Sequence, residues 1–386
     1  MSVTAPQGFR AAGVKAGLKT TNDPDVAVVL NEGPSRAAAA VFTANRVQAA
    51  PVTWTRQVVS GGRVQAVVLN SGGANACTGP AGFQDTHATA ERLAAAIGTD
   101  ASAGEMAVCS TGLIGERLPM GKLLPAVDAA VAEASRAGGL AAADAIRTTD
   151  TVVKIAFRRG EGGYTIGGMA KGAGMLAPAL ATMLCVLTTD ADIPPAELDS
   201  ALRSATAVTF DRLDTDGCMS TNDTVLLMAS GAAGLTPDRR DFTETLIEVC
   251  TDLARQLQLD AEGAGKMITI EVVGAASEAD AVTAGRAVAR NNLLKCAIGG
   301  EDPNWGRVLA AVGTTDAVFS PDRLNVAING IWVCRHGAPG DERSKVDLKP
   351  KDVTITVDLS AGPHSAVILT TDLTAAYVHE NSAYST

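Results

Sequence analysis

Lys171-Gly172-Ala173-Gly174-Met175-Leu176-Ala177-Pro178-Ala179-Leu180-Ala181-Thr182-Met183-Leu184-Cys185 is the stretch from which the rest of the chain is best read. A glycine-loosened loop with one lysine runs through Pro178 into small residues and meets Thr182 at the head of the apolar run Met183 to Leu187. That run is strand-like, so Thr182 stands where a loop feeds a buried strand. Such a position fixes a side chain and leaves room in front of it. Two readings stand side by side: a β-favouring residue that starts a strand, or a nucleophile. A threonine hydroxyl needs a base, and one solution is a threonine that becomes an N-terminus and uses its own α-amine. That amine titrates at about 7.7 to 8, near working pH.

The 386 residues allow one large or two ordinary domains with full cores. Aromatics are only 3%, so the core is built from Ala, Val, Leu and Ile. With 42 acidic against 32 basic residues and no block of like charges, nucleic acid is not an expected partner. No apolar run approaches the roughly 18 residues of a membrane span, and Met1 to Asp23 lacks the apolar core of a signal peptide, so a cytoplasmic protein away from the membrane is expected. Seven scattered cysteines without a CxxC pair read as reduced core thiols. Only His87, His336, His364 and His379 are present, none at ligand spacing, which makes a zinc site or a His-dependent hydrolase a poor fit.

Taken in order, Ala27 to Leu30 and Val64 to Asn70 read as buried strands. Asn70 to Gly79 reads as a polar loop whose amides hold turns or face a ligand. A helix over about Ala88 to Ile97 precedes a short strand, Glu105 to Ser110, that ends in Thr111-Gly112. A Thr-Gly ending exposes backbone N–H groups, as an oxyanion hole requires, and a plain strand-to-helix turn explains the same letters. An amphipathic helix is expected from about Leu124 to Arg136, with Pro125 in its first turn and Gly138-Gly139 at its end. Thr148-Thr149-Asp150-Thr151 then precedes a strand, Val152 to Phe157.

Beyond Thr182, Asp190 to Pro195 stops the strand, and helices are expected at about Ala196 to Thr206 and around Leu246, Cys250, Leu253 and Leu257. Asp214 to Thr224 reads as a polar loop before the strand Val225 to Met228. Glu262, among small residues at the entrance to the strand Met267 to Val273, is either solvated or a partner for a ligand amine. One helix is expected over Ser277 to Ala297, then the loop Gly300 to Arg307. A hairpin about Asn329-Gly330 and strands at Val353 to Leu359 and Ala366 to Thr370 follow, and the polar-aromatic end, Tyr377 to Thr386, fits a docked tail.

The chain resembles the ornithine acetyltransferase (glutamate N-acetyltransferase) family of arginine biosynthesis over nearly its whole length. The resemblance is carried by Gly167 to Met175 through Ala181-Thr182-Met183-Leu184, the Asn70 to Gly79 loop, Ser110-Thr111-Gly112, Thr148 to Thr151, Asp302 to Arg307 and Glu380 to Tyr384. It implies an α/β fold, a layered αββα-like sandwich of the ornithine acetyltransferase type with a smaller C-terminal α/β lobe at about 265–350. It implies self-cleavage between Ala181 and Thr182 into an α chain, 1–181, and a β chain, 182–386, two of each in the assembly. The reaction it implies moves acetyl from N-acetylornithine to glutamate through acetyl-Thr182, giving ornithine and N-acetylglutamate without a metal or organic cofactor. Bifunctional members also accept acetyl-CoA.

Carried over by position, Thr182 is nucleophile and, through its new amine, base, and Thr111 and Gly112 line the oxyanion hole. Thr148, Lys171, Thr182, Glu262, Asn381 and Thr386 bind substrate, with Lys171 suited to an α-carboxylate and Glu262 to the ornithine amine. Ala261, Gly265 and Asn291-Asn292 depart from the family's usual Gly, Thr and Ser-Pro, which bears on local geometry near Glu262. Two rival readings remain from the residues: an N-terminal-nucleophile amidohydrolase or aminopeptidase that gives the acyl group to water, and an uncleaved amino-acid-binding protein.

Overall fold

Val26–Asn31 explains why the apolar runs of this chain show no periodicity. All six residues are buried, Val26, Val28 and Leu30 in one core and Ala27 and Val29 in another, because both faces of the strand are covered. The structure, a computed structural model, describes residues 2–98, 100–176 and 183–383. Among these, the first sheet has four strands in the order Phe9–Val14, Val26–Asn31, Ala66–Asn70, Met106–Ser110. A second sheet has five, in the order Ala38–Phe42, Thr224–Ala229, Leu184–Thr189, Thr165–Lys171, Lys154–Arg159.

The run after Thr182 divides in the same way. Leu184 and Val186 meet Val29 and Leu69 between the two sheets, while Cys185 and Leu187 pack beneath the helices Pro195–Val208 and Arg239–Leu259. Helices Gly79–Ile97 and Met120–Glu133 cover the outer face of the first sheet. The layers run helix, sheet, sheet, helix, the αββα sandwich that the resemblance implies. Arg239–Leu259 buries Leu246, Cys250, Leu253 and Leu257 as their spacing predicts, and the Asp238 carboxylate caps it by accepting from Arg240 N and Asp241 N.

A third, mixed sheet of six strands contains Met267–Ala275 between Asp352–Asp358 and His364–Thr371. Helices Glu278–Ala289, Asn292–Gly299 and Trp305–Val312 cover one face of it, so Val353, Ile355 and Val357 are buried while Thr354 and Thr356 are half-exposed. The hairpin Asn325–Ile328 to Ile331–Arg335 turns at Asn329 (φ 47) and Gly330 (φ 81), the two left-handed residues of the expected Asn-Gly turn.

Several elements differ from expectation. The helix placed at Leu124 to Arg136 begins at Met120 and contains Pro125, because burial of Leu123, Ala126, Val127 and Ala130 against the first sheet outweighs one missing hydrogen bond. Gly139 opens a further helix, Gly139–Ala145. The single helix expected over Ser277 to Ala297 is two, since Asn291 accepts from Leu294 N at 2.9 Å and caps a second start. Trp305–Val312, expected as the end of a loop, is helical. The thiols are free, but only Cys109, Cys185, Cys250 and Cys334 are in the core, and Cys77, Cys218 and Cys296 are exposed.

Candidate active site

Strand direction gathers the candidate residues at one edge of the sandwich. In the second sheet Lys171 ends its strand opposite Leu184, which begins the next and lies beside Thr224, the start of a third. Lys154 begins the outer strand opposite Ala170. The segments 148–153, 172–176 and 220–223 therefore leave the sheet on the same side. The first sheet brings Ser110-Thr111 to that side, and Asn222 joins the two sheets there, its Nδ2 donating to Ala74 O at 2.7 Å and Ser110 O at 2.8 Å. A cavity at this edge is lined by Ala74, Thr111, Gly112, Ile114, Thr148, Thr149, Lys171, Gly174, Met175, Ser220, Thr221, Asn222, Glu262 and Asn381. A larger surface cavity over Phe42, Arg56 and Arg203 holds none of the candidates.

Thr111 and Gly112 are placed by the Asn70 to Gly79 loop. Thr111 N donates to Asn70 O at 3.0 Å, and Ser110 Oγ donates to Asn70 Oδ1 at 2.6 Å. A Cβ at Gly112, whose φ is 124°, would lie 2.6 Å from Gly73 N, so only glycine fits. The loop's other amide, Asn75, donates to Gly82 O and to Thr86 Oγ1, which is turn maintenance. Among the described residues neither the Gly112 N–H nor the Thr111 hydroxyl hydrogen has an acceptor, and Thr111 Oγ1 itself accepts from Lys171 Nζ at 3.0 Å.

Lys171 is 1% exposed, and a buried ammonium requires compensation. Burial pushes its pKa down, and Asp150, Asp223 and Glu262 work against that. Asp150 is the hub of the compensation. It accepts from Lys154 Nζ at 2.6 Å, Gly172 N at 2.6 Å and Thr148 N at 3.0 Å. Burial opposes its charge, but Lys171, Lys154 and the Gly172 N–H prevail and hold its pKa at about 2. Lys154, fully buried, also pairs with Asp260 at 2.5 Å.

Glu262 is held from two sides. Thr149 Oγ1 donates to Oε1 at 2.7 Å and Asn381 Nδ2 to Oε2 at 2.8 Å, which docks the C-terminal helix Ala375–Ala383 onto the site. A Cβ at Gly174 would stand 2.5 Å from the Glu262 carboxylate, so the glycine admits that side chain. The unusual neighbours of Glu262 have structural roles: Ala261 packs in the core, and Gly265 N donates to Asp372 Oδ1 at 2.8 Å.

Three residues that flank positions 177–182 are held by hydrogen bonds. Met175 N donates to Asp216 Oδ2 at 2.6 Å, Thr215 N donates to Leu176 O at 2.6 Å, and Met183 N donates to Asp223 Oδ1 at 3.0 Å. Asp223 is buried, and burial pushes its pKa well up. Ala181, Thr182 and Thr386 lie outside the described residues.

Of the other residues named from sequence, Thr111, Gly112, Thr148, Lys171, Glu262 and Asn381 all meet in the cavity. Of the neighbouring hydroxyls, Thr149 also lines it, whereas Thr151 turns away to Asp260. Sequence reasoning missed Asp150, Asp223 and the Ser220-Thr221-Asn222 wall. The available signal was a polar stretch running directly into the apolar strand Thr224–Ala229.

Two uncommitted donors beside a buried lysine, with a carboxylate anchored across the cavity, fit an α/β-sandwich enzyme that transfers acyl groups. The chain belongs to the ArgJ family, whose model matches residues 10–386, and it is an acetyltransferase of arginine biosynthesis. It is 73% identical over 386 residues to the arginine biosynthesis bifunctional protein ArgJ of Thermobifida fusca, covering all of both chains. It is 67% identical over 385 residues to ArgJ 1 of Streptomyces clavuligerus, again over the full length of both. A solved ornithine acetyltransferase from Mycobacterium tuberculosis, complexed with ornithine, is 62% identical with a TM-score of 0.45, over 46% of this chain and 94% of that one. No described helix is long and apolar enough to cross a membrane.

Proposed function

We propose that the chain cleaves itself between Ala181 and Thr182 and then moves acetyl from N-acetylornithine to glutamate by a ping-pong route. The observation that carries this reading is the convergence of Thr111, Gly112, Thr148, Lys171, Glu262 and Asn381 on one cavity, which Met175, shortly before positions 177–182, also lines. In processing, Thr182 Oγ attacks the Ala181 carbonyl, the acyl group shifts from nitrogen to oxygen and so frees the Thr182 α-amine, and hydrolysis of the ester releases the Ala181 carboxylate and restores the Thr182 hydroxyl. In turnover that amine takes the hydroxyl proton as Oγ attacks the acetyl carbonyl. The Thr111 hydroxyl and Gly112 N–H receive the oxyanion, and ornithine leaves with the proton. Glutamate's amine then attacks acetyl-Thr182, releasing N-acetylglutamate and restoring the hydroxyl.

Glu262, fixed by Thr149 and Asn381, receives the ornithine side-chain amine. Thr148 and Thr386 complete the amino-acid site, with Lys171 in the wall of the same cavity. The products of cleavage are an α chain, 1–181, and a β chain, 182–386, assembled as two of each in the cytoplasm, with a smaller lobe at about 265–350. Relatives named bifunctional support acetyl-CoA as a second donor.

Denaturing mass spectrometry of the parent beside Thr182→Ala tests the scheme. Two fragments meeting at Ala181/Thr182 in the parent and one intact chain in the variant are expected, with the variant inactive. An intact, active parent would remove the N-terminal nucleophile. Release of free acetate at a rate indifferent to glutamate would make the enzyme a hydrolase, and acetylation of glutamate by acetyl-CoA without N-acetylornithine tests the second donor.

A further inference from the structure

Lys171 is the cation that the resemblance places on a substrate carboxylate, yet its geometry fits a different task. Its side chain is 1% exposed, and among the described residues Nζ makes one hydrogen bond, to Thr111 Oγ1 at 3.0 Å. Because an ammonium can only donate, this contact occupies a lone pair of the hydroxyl oxygen. The hydroxyl's own hydrogen is left without an acceptor among the described residues, in a residue that is 2% exposed. A buried hydroxyl that accepts from a cation and donates to nothing is incomplete until an acceptor enters the cavity. Hydrogen bonds in such a chain polarise one another, so the cation strengthens the hydroxyl as a donor.

We propose that Lys171 is a positioning residue of the oxyanion hole: it orients and polarises the Thr111 hydroxyl so that its hydrogen points to the oxygen where charge develops. The inference rests on the reading that Thr111 and Gly112 hold that oxyanion. No bond to Lys171 forms or breaks, and its proton stays on Nζ throughout. Burial and the charge of Lys154 push the Lys171 pKa down, and Asp150, which accepts from the adjacent Gly172 N, works against that shift together with Asp223 and Glu262. The alternative is that Lys171 acts directly on the substrate's α-carboxylate.

The two roles separate in single-turnover acetyl transfer, measured for the parent, Lys171→Met, Thr111→Ala and the double variant. Two donors are compared: N-acetylornithine and its decarboxylated counterpart, a monoacetylated diaminobutane. Loss of an oxyanion donor typically costs about 10² to 10³ in rate, and loss of a hydrogen bond from a charged group about ten- to a hundredfold. Lys171→Met is therefore expected to lose about ten- to a hundredfold in kcat, with KM little changed, and to lose as much with the decarboxylated donor. The double variant should be scarcely slower than Thr111→Ala, because the lysine acts through a hydroxyl that is no longer there.

Additive losses, or a Lys171→Met defect that disappears with the decarboxylated donor, would overturn the inference and leave the oxyanion reading intact. Thr111→Ala within about twofold of the parent would remove the oxyanion reading and this inference with it. Lys171→Gln, of similar volume, takes the place of Lys171→Met should the latter not fold. Where a variant remains uncleaved, the rate of fragment formation at Ala181/Thr182 is analysed by the same cycle, and additivity there counts equally against the proposal.

Discussion

The edge of the second sheet and the interior of the third are built on opposite principles. At the edge, Asp150, Lys154, Lys171 and Asp223 are buried together: Asp150 pairs with Lys154 and accepts from Gly172 N, Asp223 accepts from Met183 N, and Lys171 donates to the Thr111 hydroxyl. In the third sheet, Ile268, Ile270, Val326, Ile328, Val353, Ile355 and Val357 form an apolar core, and Glu271 and Thr356 remain on the half-exposed face, where they bond each other at 3.2 Å. Apolar packing is non-directional, so it stabilises the third sheet without fixing any one group for chemistry. A buried charge cluster is a poor source of stability but places each of its members.

The largest expected effect is at Asp150. Removing one partner of a buried ion pair costs about 3 to 5 kcal/mol because the other charge is stranded, and here two lysines depend on it. Asp150→Ala should lower the denaturation midpoint by an amount in that range and slow acetyl transfer, measured below the unfolding transition. Ile355→Ala leaves a cavity between Ile270 and Ile328 of the neighbouring strands and should cost about 2 to 5 kcal/mol. Its turnover below the transition should stay within about twofold of the parent. If Ile355→Ala slowed the reaction as much as Asp150→Ala, the two regions would not be separate in function.

Acid probes the same contrast with less force. The Asp150 pKa falls from 3.8 to about 2 on folding, so its contribution is present above pH 3.8 and is lost as pH falls through about 2. The sign follows because the unfolded chain binds the proton more readily at those pH values, and the shift corresponds to about 2 kcal/mol. Denaturant melts at pH 5 and pH 2.5 should therefore show a smaller acid loss in Asp150→Asn than in the parent. Ile355→Ala should retain the parent's full acid dependence. Equal slopes in all three would place the acid sensitivity elsewhere.

The contrast also explains what could be read from the letters. In the third sheet one face is covered, so Asp352–Asp358 alternates buried and half-exposed residues and its strand character is legible. Leu184–Thr189 is covered on both faces and shows only an apolar run, from which neither partner layer follows. Helix starts set by capping were partly legible: Ser277 accepts from Asp280 N, as its spacing indicates, but the competing cap at Asn291 was not seen. At the site, Thr111, Lys171 and Glu262 are legible only through the family resemblance, because Thr111 and its partner Lys171 lie 60 positions apart, and Glu262 and its partner Thr149 lie 113 apart, with no local sign that they meet. Asp150 was named only as part of a hydroxyl cluster. Its role depends on Lys154 and Gly172 arriving from two adjacent strands, which is a property of the fold.

The smallest expected effect tests how finely the site edge is positioned. Thr149 and Asn381 each hold one oxygen of Glu262, and the Thr149 bond, at 2.7 Å, links two segments 113 residues apart. Thr149→Val keeps the shape of the side chain and removes the donor. Glu262 remains held by Asn381 and lies at a half-exposed position where water can replace the lost bond, so the penalty should be about 1 kcal/mol. That corresponds to a roughly fivefold rise in KM for N-acetylornithine. A donor without the side-chain amine, such as N-acetylnorvaline, has nothing for Glu262 to receive and should show no rise, and kcat should hold because no reacting atom is touched. A loss in kcat equal for both donors would mean that Thr149 supports the cavity wall and that Glu262 is oriented by Asn381 alone.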